Sequence, residues 1–311
     1  MTDRKGGPDA VLLAGPTASG KSALALQLTQ RIGGTIVNAD SMQMHASLRV
    51  VTARPSEADE ALVPHRLYGT VAPFEPMSAA GYVKRVRTLL PELRALGRVP
   101  IFVGGTGLYF KALEEGLSAM PPIDPTIRAE LRSWNAAQLA NALHRDDPAA
   151  AERLRATDTQ RLARALEVVR STGRSILDWQ GRVEPGPLGG ANLRRVLFLP
   201  ERAWLHERIA RRAAEIVADP AALAEVEALV VLDPELRSLP AKAIGVRELV
   251  ELERGAIDAE EAVRRLTVAT RRYAKRQYTW FNNSLGGDWT IVRPPDEPTD
   301  ALIRSFMRPK T

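Results

Sequence analysis

Val11–Leu28 reads VLLAGPTASGKSALALQL. Val11–Ala14 predicts a short buried strand, and SALALQLTQR predicts a helix to about Gln30. Between them Gly15, Pro16, Thr17, Ala18, Ser19, Gly20, Lys21 and Ser22 satisfy G-x-x-x-x-G-K-[ST]. Strand, glycine-rich turn and helix in that order make a phosphate cradle. Glycines at 15 and 20 let backbone N–H groups converge on anionic oxygens, and the helix N-terminus adds a favourable dipole. Lys21 supplies a movable cation, and the Ser22 hydroxyl can face Mg2+. This local physics specifies two or more phosphates. A nucleotide such as ATP and a simple diphosphate fit it equally.

The same unit recurs outward along the chain. GGTIVNADSMQ predicts a second strand at 35–38, with Asp40 just past its end. GRVPIFVGGTGLYFKALEEGL predicts a strand at Ile101–Val103, a tight turn at Gly104-Gly105 and a helix from near Thr106. The segment 78–95 reads as a helix capped by Ser78. Recurring units of this kind predict a parallel α/β sheet with ligands at the carboxyl ends of its strands. From Met120 to about Arg170 the composition shifts to Ala, Arg and Leu with helical spacing, and EPGPLGG at 184–190 reads as a linker. RRVLFLP at 194–200 returns to a core strand, and helices follow. The expected division is a core of 1–118 plus 192–290, a helical insertion at 119–191, and a peripheral tail at 291–311.

The bulk numbers exclude several classes. The 311 residues contain no cysteine and four histidines, so neither a disulfide scaffold nor a thiolate zinc site is available. The N-terminus MTDRKGGPDA lacks an apolar signal region, and no run is long enough to cross a bilayer. A soluble, cytoplasmic protein is expected. The formal charge of +6 admits a polyanionic partner.

Three further features bear on chemistry. Asp40 at a strand end could accept a proton, orient a nucleophile or hold a metal-bound water, or could simply cap the next turn. The Thr106 hydroxyl could cap its helix or donate to a ligand oxygen. VRRLTVATRRYAKRQYTWF places Arg271/Lys275 and Arg272/Arg276 at i,i+4, with Arg264 and Arg265 extending the rows. Such rows suit an anionic partner, or a solvated face neutralised by acids elsewhere. Tyr273, Tyr278, Trp280 and Phe281 read as packing residues. A second basic patch, TDTQRLARALEVVRSTGR, lies in the insertion, with Arg161 and Arg164 on one face. Two basic patches favour nucleic acid as the partner.

Together these pieces resemble the bacterial tRNA dimethylallyltransferases, also called tRNA isopentenyltransferases. The resemblance runs from about Val11 to Trp289. It rests on GPTASGKS (15–22), DSMQ (40–43), PHRL (64–67), VGGTGLYFKAL (103–113), DTQRLARALEV (158–168), AIGVREL (243–249) and ATRRYAKRQYTWF (269–281). It implies a P-loop-kinase-like parallel sheet core with an inserted all-helical domain that embraces the tRNA anticodon stem-loop. It also implies transfer of a dimethylallyl group from dimethylallyl diphosphate to N6 of adenosine 37, in tRNAs reading codons that begin with U. Mg2+ is the implied cofactor, and a monomer without a stable protein partner or membrane contact is the implied state.

By the same resemblance, Asp40 matches the general base and Thr106 a threonine beside the donor's reacting oxygen. Lys21 and Ser22 match diphosphate and Mg2+ ligands. Asp40, Ser41, Met42 and Gln43, with Thr106, Arg128, Gln160, Arg161, Leu162, Ala163 and Arg164, match tRNA-contacting positions. The chain departs from the family pattern at Val51-Thr52-Ala53-Arg54-Pro55, where GTAKP or GTDKP is common. Lys242 stands where some members carry a diphosphate-binding arginine, keeping the charge and losing the bidentate fork. Two other readings compete with this one: a P-loop kinase of a small metabolite, and an RNA-binding module without catalysis.

Overall fold

The apolar run Ala10–Ala14 is strand β1, and all five of its residues are buried. A parallel strand covered on both faces reads as a continuous apolar run without alternation. The computed structural model describes residues 7–294 and divides into two units, one from Met1–Glu114 with Gly190–Thr311 and one from Glu115–Gly189.

In the first unit β1 leads to α1 (Lys21–Ile32), β2 (Gly34–Asn38), α2 (Glu57–Leu62), β3 (His65–Arg66), α3 (Ala79–Ala95), β4 (Val99–Gly104) and α4 (Gly107–Glu114). The second unit contains β5 (Leu117–Ser118), α5 (Pro125–Leu131), α6 (Ala136–Asp146), α7 (Pro148–Arg153), α8 (Thr159–Thr172), α9 (Ile176–Gln180) and β6 (Val183–Glu184). The chain then returns to the first unit as β7 (Leu193–Phe198), α10 (Arg202–Ala218), α11 (Pro220–Leu232), α12 (Val246–Glu253), α13 (Ala259–Ser284) and β8 (Thr290–Val292).

The first unit is built on a six-stranded sheet of order β3-β2-β4-β1-β7-β8. Every pairing in it is parallel, with Leu12 beside Phe102 and Arg195. This is the parallel sheet core the sequence predicts. One apolar cluster packs Leu24, Ala25 and Leu28 of α1 onto Val11, Ile36, Ile101 and Val196 of the sheet. A second joins α10–α13 through Ile216, Val226, Leu249 and Leu266, and receives Leu48 and Val51 from the loop after β2. Burial of each such side chain contributes about 1.5–3 kcal/mol. The loop is also tied by one carboxylate: Glu225 on α11 accepts from the backbone N–H groups of Arg49, Val50 and Val51 at 2.8–3.2 Å.

In the second unit α5–α9 close around Leu131, Leu139, Leu143, Leu162 and Leu166. Their N-termini are capped by side chains of Asp124, Asn135, Asp147, Asp158 and Ser175. The unit also carries a small antiparallel ribbon, with Leu117 opposite Glu184. Two-residue strands are too short to show alternation, which is why the sequence suggests helices alone here.

The expected tail also begins too early. Ile291 and Val292 belong to β8, which pairs with Leu197 and Phe198. Only Val292 of its three residues is buried, so this edge strand carries little apolar signal. The remainder of the expected tail, 295–311, lies outside the described residues. Among the described residues no helix is long and apolar enough to cross a membrane.

Candidate active site

α1 starts without a side-chain cap. Gly20 precedes it in the left-handed region at φ 90°, which a residue with a Cβ rarely adopts. No side chain caps the first N–H groups of the helix, an arrangement that suits an anion. Ala18 is left-handed too, at φ 61°, and its carbonyl accepts from Arg208 Nε at 2.9 Å. Lys21 Nζ donates to the Pro16 carbonyl at 3.1 Å, folding the ammonium back over the loop. Gln277, buried on α13, braces the cradle from behind. Its Oε1 accepts from Thr17 N at 3.0 Å, and its Nε2 donates to the Gly105 carbonyl at 2.9 Å.

The ends of β2 and β4 meet beside this cradle. A Cβ on Gly104 would lie 2.0 Å from the Ala39 carbonyl oxygen, so only glycine allows this approach. Asp40 follows directly. Its Oδ1 accepts from Met42 N at 3.0 Å, and among the described residues no hydrogen bond reaches Oδ2. Oδ1 thus caps the turn that follows β2, as one of the two readings of Asp40 expects. Thr106 Oγ1 accepts from Ser41 N at 3.0 Å. It also lies 3.4 Å from Ser41 Oγ. Its hydroxyl is committed to the Asp40 loop, away from the α4 backbone it is a candidate to cap.

Asp40 and residues 17–22 of the cradle face one pocket of about 1020 Å³. Ser41, Met42, Gln43 and Lys242 also line it. Thr106 is absent from its lining, and Gly15 and Pro16 are buried beneath the loop. Val51–Arg54, where the chain departs from the family pattern, form part of the wall. Thr52 and Ala53 accept from Gln43 Nε2, both at 2.9 Å.

Among the wall residues that escape a reading of the sequence are Arg208, Arg212, Tyr68 and Tyr273. Arg212 reaches Thr17 Oγ1 and the Thr52 carbonyl, both at 3.3 Å, and so ties the cradle to the opposite wall. The i,i+4 spacing of Arg208 and Arg212 is the available signal. Tyr273 reads as packing in the sequence, because an aromatic at helical spacing does not reveal which neighbour it meets.

Burial pushes the Lys21 ammonium down to about 8, and the nearby Asp40 carboxylate opposes this. The Arg212 guanidinium is likewise lowered by burial and supported by Asp40. Burial, reinforced by the Asp40 charge, raises the hydroxyls of Tyr68, Tyr109 and Tyr273, which stay neutral. Asp40 thus acts on both Lys21 and Arg212, and Glu215 in the same wall also supports Arg212.

The remaining candidate residues belong to the second unit. Arg128 Nε and Arg164 Nη1 both bond Glu167, at 3.3 and 3.2 Å. Arg161 extends from the start of α8 with its side chain 75% exposed, within 3.3 Å of Asp158. Gln160 is exposed and Ala163 half-buried, whereas Leu162 points into the core of the unit and presents no contact surface. On α13 the row of cations is neutralised by acids in part, as one of its two readings expects. Arg264 is held by Glu261, and Arg265 by Glu261 and Glu251. Arg276 lines the pocket, 5.6 Å from the Tyr273 ring.

A family model described as IPP transferase matches residues 43–284, and one described as isopentenyl transferase matches residues 8–71. The tRNA dimethylallyltransferase of Allorhizobium ampelinum is 47% identical over 290 residues, covering 92% of this chain and 95% of that protein. That of Mesorhizobium japonicum is 48% identical over 295 residues, covering 93% and 91%. The crystal structure of full-length tRNA isopentenylpyrophosphate transferase from Bacillus halodurans superposes with a TM-score of 0.67 at 30% identity, covering 95% of this chain and 93% of that one. A eukaryotic dimethylallyltransferase acting on tRNA shares the fold at a TM-score of 0.76 and 23% identity, over 92% of this chain and 74% of that one. A phosphate cradle facing a strand-end carboxylate, in a chain matched along most of its length, places this protein in the IPP transferase family.

Proposed function

We infer that this protein transfers a dimethylallyl group from dimethylallyl diphosphate to a tRNA, at N6 of adenosine 37, and releases diphosphate. The observation that carries the reading is the shared pocket. The phosphate cradle, Lys21 and Arg212 share it with Asp40, which supports a diphosphate and a proton acceptor at one reacting centre.

In the reaction the allylic C1–O bond breaks and the N6–C1 bond forms. The electron pair of the broken bond leaves with diphosphate, whose charge the cradle N–H groups, Lys21 and Arg212 stabilise. Lys242, in the wall of the same pocket, adds a further cation. The N6 amine is a weak nucleophile because its lone pair is delocalised into the ring, so the displacement is loose and its carbon carries positive charge. As nitrogen becomes cationic, Asp40 accepts the N6 proton at Oδ2. Holding the adenine N6 and the allylic C1 in contact removes much of the entropic barrier, which requires the adenine to leave its stack.

Mg2+ fits this donor set. The Ser22 hydroxyl lines the pocket, and among the described residues no group of three or more His, Cys, Asp or Glu could cage a metal without help. Mg2+ characteristically takes few protein ligands and completes its shell with phosphate oxygens and water. Ser22 and the diphosphate would hold it, where it supplies charge neutralisation to the leaving group. The protein would act in the cytoplasm, on tRNA bound in part by Arg128, Gln160, Arg161 and Arg164.

Incubation with dimethylallyl diphosphate, Mg2+ and unmodified tRNA, followed by mass analysis of the nucleosides, tests the reading. A dimethylallyl increment on adenosine is expected. ADP formation from ATP without tRNA, and no such increment, would replace it with kinase chemistry.

A further inference from the structure

Asn38 closes β2 and is fully buried. A buried primary amide must satisfy two N–H donors and an acceptor oxygen. Its Nδ2 donates to the Asp40 carbonyl at 2.9 Å and to the Leu67 carbonyl at 3.0 Å. Its Oδ1 accepts from Asp40 N at 2.8 Å. One side chain therefore grips both backbone polar groups of Asp40. The grip is itself anchored, because the Asn38 carbonyl accepts from Tyr82 Oη at 2.9 Å. The Tyr82 ring in turn stacks on Tyr109 with centroids 3.9 Å apart.

Leu67 supplies the second anchor. It is held at φ 63°, a conformation that costs a branched residue on the order of 1–3 kcal/mol. That strained turn presents its carbonyl to Asn38. The PHRL segment at 64–67, which the proposed chemistry leaves without a role, acquires one here.

We propose that Asn38 is the positioning residue for Asp40. It fixes the Asp40 backbone so that Oδ1 is spent on Met42 N while Asp40 lines the pocket. Asn38 does not line the pocket, so it acts through Asp40 and not on substrate. The proposal rests on the reading of Asp40 as proton acceptor.

A double-mutant cycle on the full chain tests it. Asn38→Ala and Asn38→Ser are made in the wild-type and Asp40→Asn backgrounds, and single-turnover transfer and both KM values are measured with dimethylallyl diphosphate, Mg2+ and tRNA. Asn38→Ala should slow transfer by about 10–100-fold while both KM values stay within about threefold, as expected for misplacement of a reacting group. Asn38→Ser should recover part of the rate, since a hydroxyl can hold one Asp40 backbone group. In the Asp40→Asn background the same substitutions should change the residual rate less than about twofold, because the group they position is gone. Additive losses, an unchanged rate or a loss confined to KM would overturn the proposal while leaving Asp40 its role. Full activity of Asp40→Asn alone would overturn the proton-acceptor reading, and the positioning role with it. If Asn38→Ala does not fold, Asn38→Ser carries the same comparison.

Discussion

Lys21 concentrates the electrostatics of the site in one residue. Burial lowers it to about 8 from an ordinary 10.5, with Asp40 pulling the other way. A bound diphosphate adds negative charge beside it and returns its affinity for a proton. Below about pH 8 the ammonium is charged with or without ligand, and no proton is exchanged. Between about 8 and the higher value of the complex, binding takes up a proton, so diphosphate affinity falls as pH rises, by at most about tenfold per unit. Calorimetry at pH 9 in buffers of unlike ionisation enthalpy should show this uptake, and Lys21→Met should abolish it. The GKS motif identifies Lys21 without a structure. The depth of its burial, and Asp40 and Arg212 as its neighbours, come from residues far apart in the chain.

At the scale of elements, the site depends on how closely β2 and β4 approach at their carboxyl ends. The Gly104→Ala methyl would meet the Ala39 carbonyl, a backbone atom with no rotamer to yield. We expect a loss of about 1–3 kcal/mol in urea unfolding, together with slower transfer by the folded fraction, because Asp40 adjoins Ala39. Leu93→Ala, buried on α3 away from the pocket lining, should cost about 2–5 kcal/mol and leave folded-state turnover unchanged. If both variants lose stability and neither loses turnover, the approach of the two strands serves packing alone. Strands β1, β4 and β7 are legible as apolar runs because both faces of a parallel sheet are covered. The ribbon β5–β6 and the edge strand β8 are not, since two or three residues carry too little periodic signal.

For the whole molecule, the two units carry separable parts of the proposed chemistry. The first holds the pocket, and the second holds Arg128, Arg161 and Arg164. Arg161→Ala combined with Arg164→Ala should weaken tRNA binding across sequences and reduce the salt slope of log K by about one for each phosphate these side chains neutralise. Filter binding at several salt concentrations reads this directly. Dimethylallyl diphosphate affinity, measured without tRNA, should not move. An unchanged salt slope would remove these arginines from the interface. Charge counting over sequence treats them alike, whereas Glu167 holds Arg164 together with Arg128, and Arg161 remains largely exposed.

The sequence by itself determined the cradle, the parallel core and the position of Asp40 at a strand end. Each is written in local spacing: a glycine-rich turn between strand and helix, apolar runs, and a carboxylate one residue past a strand-closing Asn-Ala pair. The tertiary structure decided what surrounds Asp40. Asn38 and Leu67 lie 29 positions apart and hold its turn. Gln277 reaches Thr17 across 260 positions, and Arg212 reaches Thr17 across 195. Hydrogen bonds between residues so distant leave no periodic trace in sequence, because each depends on where the sheet and the helices packed on it bring the chain back together.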